Sequence, residues 1–207
     1  MEPLIELSSV VLPLIRDNVD TDAIIPAAYM RSLATDPATG LFGRWRYRAD
    51  GSDDPDFVLN DPRYRGTRIL LSGANFGCGS SRENAVWALE RYGIRCVIAL
   101  GFSDIFHENC FKNGVLPIVA APRDHERLVQ LCTQAQPAVA RIDVKGSTIA
   151  TAGGDTLHFD LDQRKRALLM NGTDEIDVTL ASGARIREFR KRHRRDKPWL
   201  YANGDRQ

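Results

Sequence analysis

The residues with the most chemistry in the least space are Gly73-Ala-Asn-Phe-Gly-Cys-Gly-Ser-Ser-Arg-Glu83, which set two hydroxyls, a thiol, a guanidinium and a carboxylate among three glycines. They follow the apolar run Arg68-Ile-Leu-Leu-Ser72 and lead into Asn84-Ala-Val-Trp-Ala-Leu-Glu-Arg-Tyr92, closed by Gly93. That order predicts a strand, a tight turn and a helix start. Ser80 stands three residues before Glu83, the spacing of a capping box. Free backbone N–H groups and the positive end of the helix favour a negative ligand there, and Arg82 adds a planar cation. A small carboxylate or phosphate is the guest this predicts, against the plainer reading of a glycine turn with an ordinary serine cap. The glycines fit neither Gly-x-Gly-x-x-Gly nor a run ending in Gly-Lys-Ser/Thr, so nucleotide binding is not favoured.

Hydrolase chemistry does not fit either. Gly-x-Ser-x-Gly is missing, and His107, His125, His158 and His193 all lie far from Ser80 in sequence. His107 falls on the next helix, where it can reach the site, although a histidine bonded at a helix surface or between subunits is the plainer reading. The alternative is a serine that gives and takes a proton at a carbon acid. Its hydroxyl is a poor base, so it needs a charged neighbourhood and a metal-bound substrate to activate it.

The surrounding elements must hold that turn. Strand, helix and strand alternate through a helix at about 81–92, the strand Ile94–Leu100, a helix at about 103–112, the strand Val115–Val119 and a helix from Arg123 to Gln134. Pro117 marks an edge strand or a bulge. This alternation implies parallel pairing with helices packed on the sheet. Beyond Pro137 the period changes to two. Val139–Val144, Ser147–Thr151 and Thr156–Leu161 read as short antiparallel strands, turned at Lys145-Gly146 and Gly153-Gly154. Asp162 can cap a helix through Leu168 and Leu169 that ends near Asn171-Gly172. At the other end, residues 4–15 read as one or two strands, followed by the polar turn Asp17–Asp22. From Met30 to Arg65 periodicity is lost among glycines, prolines and aromatics, and the aromatic content argues against a merely solvated loop. The expected fold class is α/β, with a mixed, partly parallel sheet flanked by helices and extended by short antiparallel strands. A single domain over 1–207 is expected, with an irregular insertion at about 31–65 and a basic tail at about 190–207.

Composition narrows the class. At 207 residues and 43% hydrophobic content the chain can bury a real core, and its net charge of +1 gives no global case for nucleic acid. Arg44, Arg46 and Arg48 alternate with aromatics, but Asp50, Asp53, Asp54 and Asp56 follow at once. The cations between Arg190 and Lys197 read as a solvated terminus or an edge that meets another subunit. No signal pattern opens the chain and no apolar run reaches membrane-spanning length, so a cytoplasmic, reducing setting is expected. Cys78, Cys96, Cys110 and Cys132 show no Cys-x-x-Cys or zinc spacing. That argues against an iron–sulfur cluster held wholly by this chain, although distant thiols can converge in space.

Gly73–Glu83 resembles the signature of the aconitase swivelling-domain family. Asn18-Val-Asp-Thr-Asp-Ala-Ile-Ile-Pro26 resembles that family's amino-terminal active-site loop, and Phe102-Ser-Asp-Ile-Phe106 its next helix opening. With Phe42–Tyr47, Pro55–Asn60 and Ala167–Gly172, the likeness spans about Leu4 to Arg192 and is greatest to the small subunits of bacterial 3-isopropylmalate dehydratases. The resemblance implies an aconitase-like swivelling β/β/α domain that forms a heterodimer with a large subunit. The large subunit would supply a [4Fe-4S] cluster, and this chain alone would hold no metal or cofactor. Ser80 would be the catalytic base, Ser81 and Asp22 would support the reaction, and Arg82 would bind a carboxylate of a small dicarboxylate substrate. Ile24 and Ile25, with Pro26 and Ala27, are candidates for an apolar substrate patch, with core packing as the rival reading. Asn84 stands where the family often has histidine, so it receives no catalytic role. Arg31 has no local motif matching the arginine with which aconitase holds its third carboxylate. Related hydro-lyases acting on citramalate/citraconate, homoaconitate or dimethylmalate share the motif. A non-catalytic anion-binding regulatory module is the alternative from another class.

Overall fold

The computed structural model describes residues 1–30, 35–134 and 136–201. These residues fall into two compact units, Met1–Gly172 and Thr173–Gln207.

The first unit is built on one seven-stranded sheet, in the order β4-β3-β2-β1-β5-β6-β7. The strands are β1 (Glu6–Leu14), β2 (Ile69–Ser72), β3 (Cys96–Ala99), β4 (Leu116–Val119), β5 (Val139–Asp143), β6 (Thr148–Thr151) and β7 (Thr156–His158). β1 belongs to both halves of the sheet. Its first residues, Glu6 to Val10, pair antiparallel with β5, while Val11 to Leu14 pair parallel with β2, Val11 opposite Ile69. β2, β3 and β4 continue the parallel half, and β5, β6 and β7 the antiparallel half. The sequence accounts for the difference. β2 and β3 are apolar runs buried on both faces, whereas β5 alternates buried and exposed positions. Pro117 lies in β4, the edge strand of the parallel half, where its missing N–H costs no ladder bond.

The helices of this unit are α1 (Thr21–Ile24), α2 (Gly43–Arg46), α3 (Glu83–Tyr92), α4 (Asp104–Lys112), α5 (Pro122–Cys132) and α6 (Gln163–Asn171). They complete two cores. Along β2 and β3, Leu70, Val97 and Ala99 enter one core with Val86 and Leu89 of α3. The alternate residues Ile69, Leu71, Cys96 and Ile98 enter the other, with Leu128 of α5 and Leu169 of α6. Leu89 is fully buried, so Leu89→Ala would cost about 2–5 kcal/mol. Each end of α6 follows from the sequence: the Asp162 carboxylate accepts from the N–H groups of Arg164 and Lys165, and Gly172 closes it at φ +64°.

The described part of the aperiodic stretch, from residue 35 on, is packed, as its aromatics led one to expect. It forms α2 and a series of 3₁₀ turns, and it buries Leu41, Phe42, Phe57, Leu59 and Tyr64 in the core that also holds α3. Arg46 is occupied internally: it donates to Asn60 Oδ1 and to the Ala38 carbonyl, and lies over the rings of Tyr47 and Tyr92. Arg31 lies outside the described residues.

In the second unit, α7 (Glu175–Ala181) carries a capping box between Asp174 and Asp177. α8 (Gly183–Asp196) contains most of the basic run. A short turn at Pro198–Leu200 brings Tyr201 back onto α8, where its hydroxyl bonds His193 Nδ1 at 2.7 Å.

Candidate active site

Three loops leave the carboxyl ends of adjacent parallel strands β1, β2 and β3, the place where open α/β sheets bind ligands. The first two run side by side and prolong the ladder beyond the strands. Gly73 N–H donates to the Arg16 carbonyl (3.0 Å), Asn18 N–H to Ala74 (2.8 Å), Gly77 N–H to Val19 (2.7 Å) and Thr21 N–H to Cys78 (2.9 Å). The third loop joins them where Phe76 N–H donates to Gly101 (2.9 Å) and Ser103 N–H to Phe76 (3.1 Å). Gly77 has φ +74°, and a side chain there would overlap the Phe106 ring of α4. Asn18 (φ 54°) and Asn75 (φ 56°) both adopt the left-handed conformation, and the Asn75 amide donates to Asn18 Oδ1 at 2.8 Å. Strained backbone on facing loops, held by cross-links, is how a site is fixed before a ligand arrives.

Ser80 and Ser81 stand exposed at the end of the β2 loop. Thr21 Oγ1 donates to the Ser80 carbonyl (3.1 Å), fixing the backbone behind its hydroxyl. Arg82 Nη1 forms an ion pair with Asp22 of α1, so the first loop also orients the guanidinium. The expected capping box does not form. α3 begins at Glu83 with Arg82 as its N-cap in extended conformation, which puts Ser80 too far back to reach the first turn. Glu83 instead accepts from Asn113 Nδ2 at 2.9 Å. α4 likewise has no side-chain cap, and the Ser103 hydroxyl at its N-cap is turned to donate to the Gly77 carbonyl (2.6 Å). The starts of α3 and α4 therefore meet at a cleft of about 230 Å³ with no side-chain cap on their leading N–H groups. Its walls include Thr21, Ser80, Ser81 and Arg82 on one side and Asp104, Ile105 and Asn109 of α4 on the other.

Ser80, Ser81, Arg82 and Asp22, from distant segments of sequence, are thus brought together. Ile24 and Ile25 are not at this surface. Both are 0% exposed and belong to the core, as the packing reading has it, and neither lines this cleft. Sequence reasoning missed Thr21, Ile105 and Asn109 as parts of the cleft. Ile105 and Asn109 are one helical turn apart, so their spacing becomes readable once α4 is known to face the site. His107 does not line the cleft: its ring contacts Phe102 and Phe111, and burial lowers its pKa. His125 is buried, with Nε2 2.6 Å from the Ser72 carbonyl at the end of β2.

The thiols do not form a metal centre. Cys96, Cys110 and Cys132 are buried free cysteines, and Cys78 is partly buried in the site loop. Burial, and next the charge of Asp20, raise the Cys78 pKa. Among the described residues no group of three or more His, Cys, Asp or Glu side chains is placed to hold a metal ion, so an iron–sulfur cluster does not fit the donors seen here. No helix among these residues is long and apolar enough to cross a membrane.

Comparison with known proteins agrees with this architecture. Residues 1–123 match the family profile described as the aconitase C-terminal domain, and residues 175–203 match that of the C-terminal domain of the 3-isopropylmalate dehydratase small subunit. The chain is 46% identical to the 3-isopropylmalate dehydratase small subunit of Mesorhizobium japonicum over 200 residues, covering 96% of this chain and 100% of that one. Its identity to the small subunit of Azorhizobium caulinodans is 45% over 201 residues, covering 97% and 100%. The crystal structure of a 3-isopropylmalate dehydratase from Methanocaldococcus jannaschii superposes with a TM-score of 0.62 at 28% identity, covering 90% of this chain and 99% of that one. With relatives this similar matched from end to end, and a cleft built from the residues that carried the resemblance, the chain belongs to the family of 3-isopropylmalate dehydratase small subunits.

Proposed function

We propose that this chain is the small subunit of a hydro-lyase that isomerises (2S)-2-isopropylmalate to (2R,3S)-3-isopropylmalate through 2-isopropylmaleate, in leucine biosynthesis. It works only when paired with a large subunit. The observation that carries the reading is the convergence of Ser80, Ser81 and the Arg82–Asp22 pair at the uncapped starts of α3 and α4. A dicarboxylate needs cationic and N–H donors, and a proton transfer at the carbon beside a carboxylate needs a positioned oxygen base.

In this scheme Ser80 Oγ takes a proton from the methylene carbon next to one carboxylate, the double bond forms, and hydroxide leaves the neighbouring carbon. Water then returns with the opposite regiochemistry, and Ser80 gives its proton to the carbon that lost hydroxide. Arg82 holds a carboxylate through its planar donors while Asp22 keeps the guanidinium oriented. Ser81 supplies a further hydrogen bond. The Thr21 bond to the Ser80 carbonyl prevents the base from drifting as charge develops. A [4Fe-4S] cluster on the partner would supply Lewis-acid chemistry at the departing oxygen.

The test uses the two subunits assembled anaerobically, with isopropylmaleate absorbance as the readout. The separate chain is expected to be inactive. Ser80→Ala should keep assembly and cluster content but lose most turnover. Near-normal turnover would remove Ser80 as the base, and full turnover by the isolated chain would reject the division of labour.

A further inference from the structure

We infer that His125 is a positioning residue for this site, the tie by which α5 holds the root of the loop that carries Ser80, Ser81 and Arg82. The inference rests on the hydro-lyase reading, which gives that loop its task, and it assigns a role to a buried histidine that the reaction scheme does not use. His125 is in the first turn of α5 and is 7% exposed. Its Nε2 lies 2.6 Å from the Ser72 carbonyl. A carbonyl oxygen only accepts, so Nε2 carries a proton and donates it. Ser72 is the last residue of β2 and is fully buried, and the site loop leaves directly from it. The bond therefore falls on a junction where other bonds gather. Ser72 Oγ donates to the Arg16 carbonyl (3.2 Å), Gly73 N–H donates to the same carbonyl (3.0 Å), and Ala74 N–H donates to Asp17 Oδ1 (2.7 Å). Those bonds join one site loop to its neighbour, and loops joined only to each other can shift together. His125 fastens them to an element outside the loops. Its helix is anchored by Leu128 and Cys132 in the core on the opposite side of the sheet from α3. A buried carbonyl stripped of its donor is costly, so the junction would move to find another. A reacting group displaced by a fraction of an ångström loses much of its rate.

The experiment compares His125→Leu, which fills the space without a donor, with His125→Gln, whose amide nitrogen is as many bonds from the backbone as Nε2. His125→Asn is shorter and cannot reach the carbonyl, so it replaces the leucine variant if that one does not fold. Leu128→Ala, one turn further along α5, is the control that loosens the same helix without touching Ser72. Two readouts are taken. On the full chain alone, iodoacetamide labelling of Cys78, which lies in the site loop, is followed at one pH by peptide mass, with the buried Cys96 and Cys110 reporting general unfolding. On the assembled two-subunit enzyme, kcat/KM for 2-isopropylmalate is measured. His125→Leu should label Cys78 about fivefold faster, the equivalent of one lost hydrogen bond, with Cys96 and Cys110 still protected. It should lower kcat/KM about tenfold, and His125→Gln should restore both readouts to within about twofold. Wild-type values for the leucine or asparagine variant overturn the proposal. So does a glutamine variant that restores neither readout, or an equal effect of Leu128→Ala, since each would make His125 a packing residue only. An unsubstituted complex that turns over no isopropylmalate would instead reject the hydro-lyase reading, and the labelling of Cys78 would still decide whether His125 holds the loop.

Discussion

The pairing of Arg82 with Asp22 makes the guanidinium a shared product of two loops. A carboxylate from α1 holds one nitrogen of the fork, so the plane in which the other donors lie is set before any ligand arrives. Lysine keeps the charge but not the plane. Arg82→Lys in the assembled enzyme should therefore cost about 2–4 kcal/mol in kcat/KM, with association of the subunits unchanged. Unchanged kinetics together with dissociation on titration would make Arg82 a seam residue. Cys78 gives a second residue-scale expectation. Its folded-state pKa is raised, chiefly by burial, so less thiolate is present at a given pH than in the unfolded chain. Alkylation of Cys78 by iodoacetamide, followed against pH by peptide mass, should have its midpoint above that of the denatured protein. A midpoint at or below the denatured value would contradict this environment.

At the scale of elements, Gly77 decides how the β2 loop meets α4. A Cβ there would overlap the Phe106 ring, and the backbone conformation at φ +74° is one that side chains resist. Gly77→Ala should lower stability by about 1–3 kcal/mol and lower turnover beyond that loss, measured by denaturant titration beside steady-state rates. Wild-type values in both would mean the loop has slack the structure does not show. The order of elements is legible in the sequence because periodicity follows burial: the doubly buried runs at β2 and β3 and the alternating run at β5 have different patterns. Residues 4–15 read equally as one strand or two, and they form a single strand that changes partner at Val10 and Val11. Pairing partners so distant leave no local mark in β1. The side chains proposed to act, Ser80, Ser81, Arg82 and Asp22, are legible from their types and motif. The cleft's other wall is not, because Ile105 and Asn109 owe their place to the packing of α4 against the β2 loop. The capping box fails for a related reason. Its spacing is present, but α3 starts at Glu83 with Arg82 as N-cap, so Ser80 is not at the capping position, and Glu83 accepts from Asn113, thirty residues away.

Across the first unit, the parallel half of the sheet supplies the loops that build the cleft, while the antiparallel half pairs with the other edge of β1. The carboxylates beside that cleft have a consequence in charge balance. Arg82 contributes one positive charge; Asp22, in contact with it, and Asp104, in the cleft wall, contribute two negative ones. Two helix starts return about half a charge each. The sum is near zero, which gives a dianion no net attraction, and the chain as a whole carries only +1. The isolated small subunit should therefore show no measurable dicarboxylate uptake in equilibrium dialysis at concentrations that saturate the assembled enzyme. Tight uptake by the lone chain would refute this balance. An unassembled copy among small organic acids would then leave them in solution until a partner surface completes the cleft.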